Sequence, residues 1–254
     1  MVKYDRDTAV AAIASFYEFF CTLPTSTPTV IQYPPPGGWP DITPENMAAM
    51  KKSDSVIDLY RHLPYPKGHI EIAHATSPTW WFYEPLKPAF DEPGFLDRTG
   101  PIGAGEIPAD VAILTNGGRN GSWLLLDTTN GTITNWIQQE NPEHDEPSQD
   151  SPDAWRAYPT LPISMFFESW KNEFRSLAWM VVPKPDDDSI FDYERDPAAK
   201  ELRTIYRAHG WGTEQWRAVE CKEALFAWDK EQMQKMDEMD DTEESSRDEK
   251  KFQN

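Results

Sequence analysis

The chain has 254 residues, 39% of them hydrophobic and 13% aromatic, and a formal net charge of -19. A chain of this length buries roughly 70–75% of its unfolded surface, enough for one large domain or two small ones. The charge argues against a nucleic-acid backbone or an anionic membrane surface as partner, and leaves basic proteins and neutral small molecules.

Residues 7–22 read as a helix, because Val10, Ile13, Tyr17 and Phe20 recur at helical spacing and Pro24 and Pro28 close the run. The stretch YPPPGGWP, residues 33–40, fits neither a helix nor an interior strand. Its prolines remove backbone donors, and Gly37-Gly38 loosens the turn. It reads as a connector packed by Tyr33 and Trp39, or as an exposed polyproline ligand. Thr43 is a good N-cap, Pro44 suits the first helical position, and Glu45 favours the first turn. The apolar line of this second helix runs through Met47, Met50, Ile57, Tyr60 and Leu63, with a possible break at Ser53-Asp54. Residues 68–73 and 79–83 have strand character, the second very aromatic through Trp80, Trp81, Phe82 and Tyr83. Residues 84–108 are rich in Pro and Gly and read as a long loop.

The clearest local pattern follows. Residues 110–115, 122–127 and 132–137 are three β-type runs, separated by NGGRNG and by Thr129-Asn130-Gly131. Asn-Gly supplies the positive φ angles that a tight hairpin needs, so the segment predicts an antiparallel meander. Residues 138–160 are polar and acidic and predict an exposed loop. Residues 161–177 predict an amphipathic helix with a stripe of Phe166, Trp170, Phe174 and Leu177. A linker at 183–188, a helix over 197–209 and another from Thr213 to about Met236 complete the ordered part. The remainder is dominated by Asp, Glu, Lys and Ser, a composition expected to stay disordered.

There are two cysteines, Cys21 and Cys221, and no apolar leader or run of ~20 apolar residues. The expectation is an intracellular, cytoplasmic protein with no membrane span. The triplets at Asn120 and Asn130 read as turns rather than glycan sites.

The segment ILTNGGRNGSWLLLDTTNGTITNW, residues 113–136, followed by SMFFESWKNEF, residues 164–174, resembles the SUKH superfamily. That superfamily includes a fungal regulator of cell-wall assembly and bacterial toxin-immunity proteins. Its order of helix, helix, antiparallel meander and helix is similar to the order read here. IYRAHGW, residues 205–211, has the look of an accessory segment of filamentous-fungal members. The chain departs from the family pattern at its entry motif, which Leu63-Pro64-Tyr65 only echoes, and in its long loops at 84–108 and 138–160. The resemblance implies an α+β fold and a tendency to bind partners. It implies no catalytic residues.

Motifs for a nucleophilic serine, a phosphate loop or a dinucleotide are absent from the sequence. Gly117 to Gly121 lies between two strands, whereas a phosphate cradle needs a helix N-terminus behind it. His62, His69 and His74 with Glu71 lack metal-ligand spacing, and no metal or cofactor is expected. The Asp187-Asp188-Ser189-Ile190-Phe191-Asp192 run reads as a solvated charge cluster rather than a magnesium site. For an acid–base reaction on an apolar molecule, the candidates are His62, Glu106, Arg119 and Asp127. Asp127 has the competing reading of a turn residue that bonds its own backbone. Trp80, Trp81, Tyr83 and Trp123 are the candidate binding residues, since such rings dominate recognition surfaces.

Together these readings predict an α+β fold: an antiparallel meander sheet packed by helices, a C-terminal helical extension and a disordered acidic tail. The expected division is a SUKH-like core over 1–185, a linker and helical extension over 186–236, and the tail over 237–254. The expected role is a non-catalytic interaction or regulatory protein, with a basic protein as partner. The alternative is a cofactor-independent isomerase, cyclase or hydrolyase of fungal secondary metabolism that takes a neutral small molecule in an aromatic-lined pocket.

Overall fold

A computed structural model describes residues 3–68, 70–79, 100–101, 103–104, 106–148, 151, 153–184, 188–192 and 197–252. The fold is α+β, and the described residues form five α-helices and several antiparallel sheets. The chain divides into two compact units, one of residues 1–23 and 27–179, the other of 24–26 and 180–254. Residues 80–83, 84–99 and His69, with the aromatic strand expected at 79–83, lie largely outside the described residues.

The first unit is built on the predicted meander. Strands β4 (Val111–Ile113), β6 (Trp123–Asp127), β7 (Thr132–Trp136) and β8 (Thr160–Pro162) form one sheet in the order β4-β6-β7-β8. All neighbours are antiparallel, with Ile113 opposite Leu125, Leu125 opposite Thr134 and Thr134 opposite Thr160. Every residue of β6 is buried. An unbroken apolar run such as Trp123-Leu124-Leu125-Leu126 is what a strand covered on both faces requires. The β6–β7 turn uses Gly131 at φ +66, a backbone region glycine enters without strain. Short pairings flank the sheet: β1 (Ile31–Gln32) with β2 (Tyr65–Pro66), and β3 (Ser77–Pro78) with β5 (Thr115–Asn116). Gly121 packs so closely on the backbone of Ala75 that a Cβ would collide with it.

Helices cover one face. α1 (Arg6–Phe20) starts at Asp5, whose carboxylate accepts from the Thr8 amide at 2.8 Å. α3 (Ile163–Ser176) packs against it. Phe16 lies 5.5 Å from Phe167 and 5.7 Å from Trp170, and Phe20 lies 6.0 Å from Phe174. The buried Lys171 ammonium donates to Ser15 at 2.8 Å and to Glu168 at 2.7 Å, so a charge inside this layer is paired. Ile13, Tyr17, Phe167 and Leu124 line a common void of only about 10 Å³, which puts the Leu124 face of the sheet against the helices. α2 (Asp54–His62) seals the open edge of β4. The buried Tyr60 hydroxyl accepts from the Ile113 amide at 2.7 Å and donates to the Ile113 carbonyl at 3.3 Å, standing where a fifth strand would pair.

Several elements differ from the expected ones. The second helix is split as Ser53-Asp54 allowed, and its first half is not α-helical. Residues 44–47 form turns, Ala48–Met50 is a 3-10 turn, and Lys51 at φ +51 breaks the path before α2. Residues 70–73 form no strand beyond a single bridge from Ala73 to Thr76. The loop expected over 138–160 is not wholly exposed. It carries a 3-10 turn, Ala154–Ala157, that buries Trp155 completely, and it ends in β8, an unforeseen fourth strand.

β9 (Trp179–Val182), which enters the second unit at Met180, pairs with β10 (Ser189–Asp192), so paired strands flank the segment expected as a linker at 183–188. The Tyr206 hydroxyl of α4 (Pro197–Ala208) repeats the edge arrangement, donating to the Val181 carbonyl at 2.7 Å and accepting from its amide at 3.0 Å. Trp216 stacks on Tyr206 at 5.8 Å with 11° between the rings. α5 (Ala218–Phe252) begins later than Thr213, and its backbone continues well past Met236. Glu, Lys, Gln and Met are strong helix formers, and pairs such as Glu231 with Lys235 at 2.7 Å support the exposed turns.

Replacing Tyr60 by Phe leaves the buried Ile113 amide without its acceptor. The expected loss is about 1–3 kcal/mol in urea unfolding, together with faster exchange of the Ile113 amide proton. An unchanged midpoint and an equally protected amide would contradict the edge-sealing role.

Candidate functional site

The site lies on the face of the four-stranded sheet turned away from α1 and α3. Side chains alternate along a strand, so Trp123, Leu125 and Asp127 of β6 share this face with Val111 and Ile113 of β4 and with Thr132, Thr134 and Trp136 of β7. Over β4 and β6 the face is apolar and roofed: Ala104 and Trp155 pack on Val111, Ile113, Trp123, Leu125 and Trp136. Towards β8 it becomes polar and the roof ends. Thr132 stands opposite Pro162, and Thr134 opposite Thr160. What remains is an open cleft of about 770 Å³. Its floor is these strand residues, and its walls are Glu143, His144, Arg156 and Tyr158 of the acidic loop, with Asn130 of the β6–β7 turn.

Hydrogen bonding fixes the walls. Thr160 donates to the Tyr158 carbonyl at 3.0 Å, so in its 2.8 Å contact with Thr134 the Thr134 hydroxyl is the donor. Arg156 lies 4.2 Å above the Trp155 ring and donates from Nη1 to Asp127 Oδ2 at 2.8 Å. The Asp127 side chain is only 2% exposed. Its Oδ1 accepts from the Thr129 amide at 2.8 Å, the Thr129 hydroxyl at 2.5 Å and the Asn130 amide at 3.3 Å. Its Oδ2 also accepts from Asn130 Nδ2 at 3.0 Å. Burial by itself pushes the Asp127 carboxyl up, but the donors from Thr129, Arg156 and Asn130 outweigh it and hold the group below the usual carboxylate range. Asp127 therefore does not line the cleft. It closes the hairpin and positions Asn130 and Arg156, which do.

The four acid–base candidates are not brought together. Asp127 is the last residue of β6 and Arg119 lies in the turn before its first, and β6 itself spans about 13 Å at the rise of a strand. His62 ends α2, with Nδ1 2.8 Å from the Asp58 carbonyl and 3.2 Å from its carboxylate, a helix C-terminal arrangement. Glu106 is exposed and lies in the field of Lys52, which donates to the carbonyls of Ile107 and Pro108 at 3.2 and 3.0 Å. Burial brings the Lys52 ammonium down to about 8, while Glu106 and Asp110 oppose that fall. Arg119 lines a second, shallower depression of about 310 Å³ with Glu71, Ser77, Asn116 and Asn120. With the Gln139 amide turned to present its oxygen, the Arg119 guanidinium donates to it at 3.0 Å from Nη2.

Of the candidate binding residues, Trp80, Trp81 and Tyr83 lie outside the described residues. Trp123 is 3% exposed and its indole N–H donates to the Gly118 carbonyl at 2.9 Å, so it anchors a turn instead of offering a surface. Among the described residues no group of three or more His, Cys, Asp or Glu side chains is placed to hold a metal ion. No described helix is long and apolar enough to cross a membrane. Among the described hydroxyls that line the cleft, none bonds a carboxylate or an imidazole, so the activated pair of a nucleophilic mechanism is missing there.

Sequence reasoning missed the cleft because its residues come from a turn, two strands and the long loop that joins those strands. The available signal was the pair Thr132 and Thr134, polar residues on the face of β7 that also carries Trp136. No protein-family model matches the chain, and neither a curated protein nor a solved structure matches it.

The Asp127 arrangement has a pH signature. A depressed carboxyl stabilises the fold fully above its unfolded value, about 3.9, and loses that contribution as pH falls from there through the folded value. Asp127→Asn is expected to cost about 2–4 kcal/mol at neutral pH and to flatten the stability loss below pH ~4. Urea unfolding at several pH values checks this, and a variant with the wild-type acid limb would contradict it.

Proposed function

We propose that this chain is a non-catalytic interaction or regulatory protein with a SUKH-like first unit, and that the cleft over β7 and β8 receives a basic segment of a partner protein. The observation that carries this reading is the use made of the buried Asp127 carboxylate on the site face: it is spent on five hydrogen bonds that build the cleft walls, and the other acid–base candidates stand elsewhere. A catalytic carboxylate needs a free lone pair facing substrate. The rim supports the partner's chemistry. Glu140, Glu143, Asp145, Glu146 and Asp153 are all exposed along the loop that forms the wall, in a chain whose net charge is -19. Such a field steers a basic segment to the cleft and makes the association salt-dependent.

The edge strand limits how a partner binds. The Asn135 amide donates to the Pro159 carbonyl and the Ile163 amide to the Gly131 carbonyl, so the backbone of Leu161 faces β7. The outward edge then belongs to Thr160 and Pro162, and proline offers no N–H. Docking by side chains over the threonine floor is favoured over addition of a further strand.

Titration of isotope-labelled protein with a peptide of alternating lysine and glycine tests this. Amides of residues 130–144 and 156–162 are expected to shift, and Glu140→Gln with Glu143→Gln is expected to weaken binding by about fivefold at low salt. Shifts confined to α5, or equal binding by the double variant, would overturn the reading.

A further inference from the structure

The first unit also carries a rigid, exposed apolar segment that neither its core nor its cleft uses. Tyr33, Pro34 and Pro35 each precede a proline, which drives all three into extended backbone, and each proline ring fixes its own φ. Residues so restricted favour the polyproline II form, left-handed with three residues per turn, and in that form Tyr33 and Pro36 fall on one edge, about 9 Å apart. Tyr33 is 52% exposed, Pro35 and Pro36 are exposed, and Val30 just before the segment is 56% exposed. Its prolines offer no N–H to any sheet.

The segment is held at both ends. Gln32 of β1 pairs with Tyr65 on one side. On the other, the Gly38 amide donates to the Pro35 carbonyl at 2.9 Å, with Gly37 at φ +91, which makes a tight turn that ends the segment. The Trp39 amide donates to the Arg61 carbonyl at 2.8 Å, its indole to the Leu63 carbonyl at 2.8 Å, and Arg61 Nε to the Gly37 carbonyl at 2.9 Å. Trp39 therefore does the work of a connector facing inward, while Tyr33 faces out with its hydroxyl on Glu18 at 2.7 Å. A connector needs only the inward half. The outward half is a ligand already ordered in the conformation that aromatic-lined grooves select, so little further ordering entropy is lost on binding.

We propose that Tyr33 to Pro36 is the recognition segment for a partner domain whose aromatic-lined groove takes an aromatic residue followed by prolines. This site is separate from the cleft and does not depend on it. Its partner is recognised by apolar stacking and by the segment's carbonyls, so binding is nearly independent of salt, unlike attraction of a basic segment to the acidic rim.

The test uses the full chain, isotope-labelled, with an isolated EVH1-type domain and an isolated WW domain as probes. Amides of residues 30–39 are expected to shift with at least one probe, at low and at high salt alike. The double variant Tyr33→Ala, Pro35→Ala is expected to weaken that binding by about tenfold while keeping the wild-type melting curve. If that variant melts early, the single variant Tyr33→Ala, which keeps all three prolines, is read in its place and is expected to weaken binding severalfold. Absence of shifts at 30–39 with both probes, or undiminished binding by the double variant, would overturn the proposal. Neither outcome bears on the lysine-glycine titration of the cleft.

Discussion

The buried carboxylate of Asp127 is the constraint on which the site face depends. A carboxylate that is 2% exposed is tolerable only when its lone pairs are filled, and here five donors fill them. Three of those bonds come from the backbone and hydroxyl of the residues that follow it, two amides and the Thr129 hydroxyl, so the ion closes its own hairpin. A fourth fixes the Asn130 side chain. The fifth reaches across 29 positions to Arg156 and ties the acidic loop to the sheet. That tie sets Trp155 beneath the guanidinium as part of the apolar roof, and the place where the roof ends is the cleft. Fold and site therefore share one interaction.

A second constraint is the treatment of sheet edges. Both units set a buried tyrosine hydroxyl against an edge strand, Tyr60 against Ile113 and Tyr206 against Val181. Each hydroxyl serves the amide and the carbonyl of one residue, which is what a paired strand would do at that position. The β8 edge of the main sheet is treated differently, with Pro162 removing a donor. These devices keep short strands from pairing with foreign chains.

The meander was legible because its signal is local. Asn130-Gly131 demands a turn, and the alternation on both sides of it fixes the register. The amphipathic stripes of α1 and α3 were legible for the same reason. What the sequence hid was long-range. Residues 138–160 look solvated, yet Trp155 is buried by a sheet face whose other half lies more than twenty residues earlier. β8 reads as the end of a loop and the start of the helix expected over 161–177, because Pro159 and Pro162 depress strand character, and tertiary pairing overrides that. The helix expected from Thr43 stalls at Lys51 in a left-handed conformation that no propensity scale assigns to lysine. Asp127 stood out in the sequence both as an acid–base candidate and as a turn residue, and the bonds from Thr129, Asn130 and Arg156 separate the two readings.

A double-mutant cycle between Asp127 and Arg156 tests the central claim most directly, with Asp127→Asn, Arg156→Gln and the pair compared in urea unfolding at neutral pH. If one charge-assisted bond couples hairpin to loop, the double variant is less damaged than the sum of the singles, by about 1–3 kcal/mol. Additive losses within about 0.3–0.5 kcal/mol would mean that the two side chains act independently, and that the cleft wall is held by something other than this carboxylate.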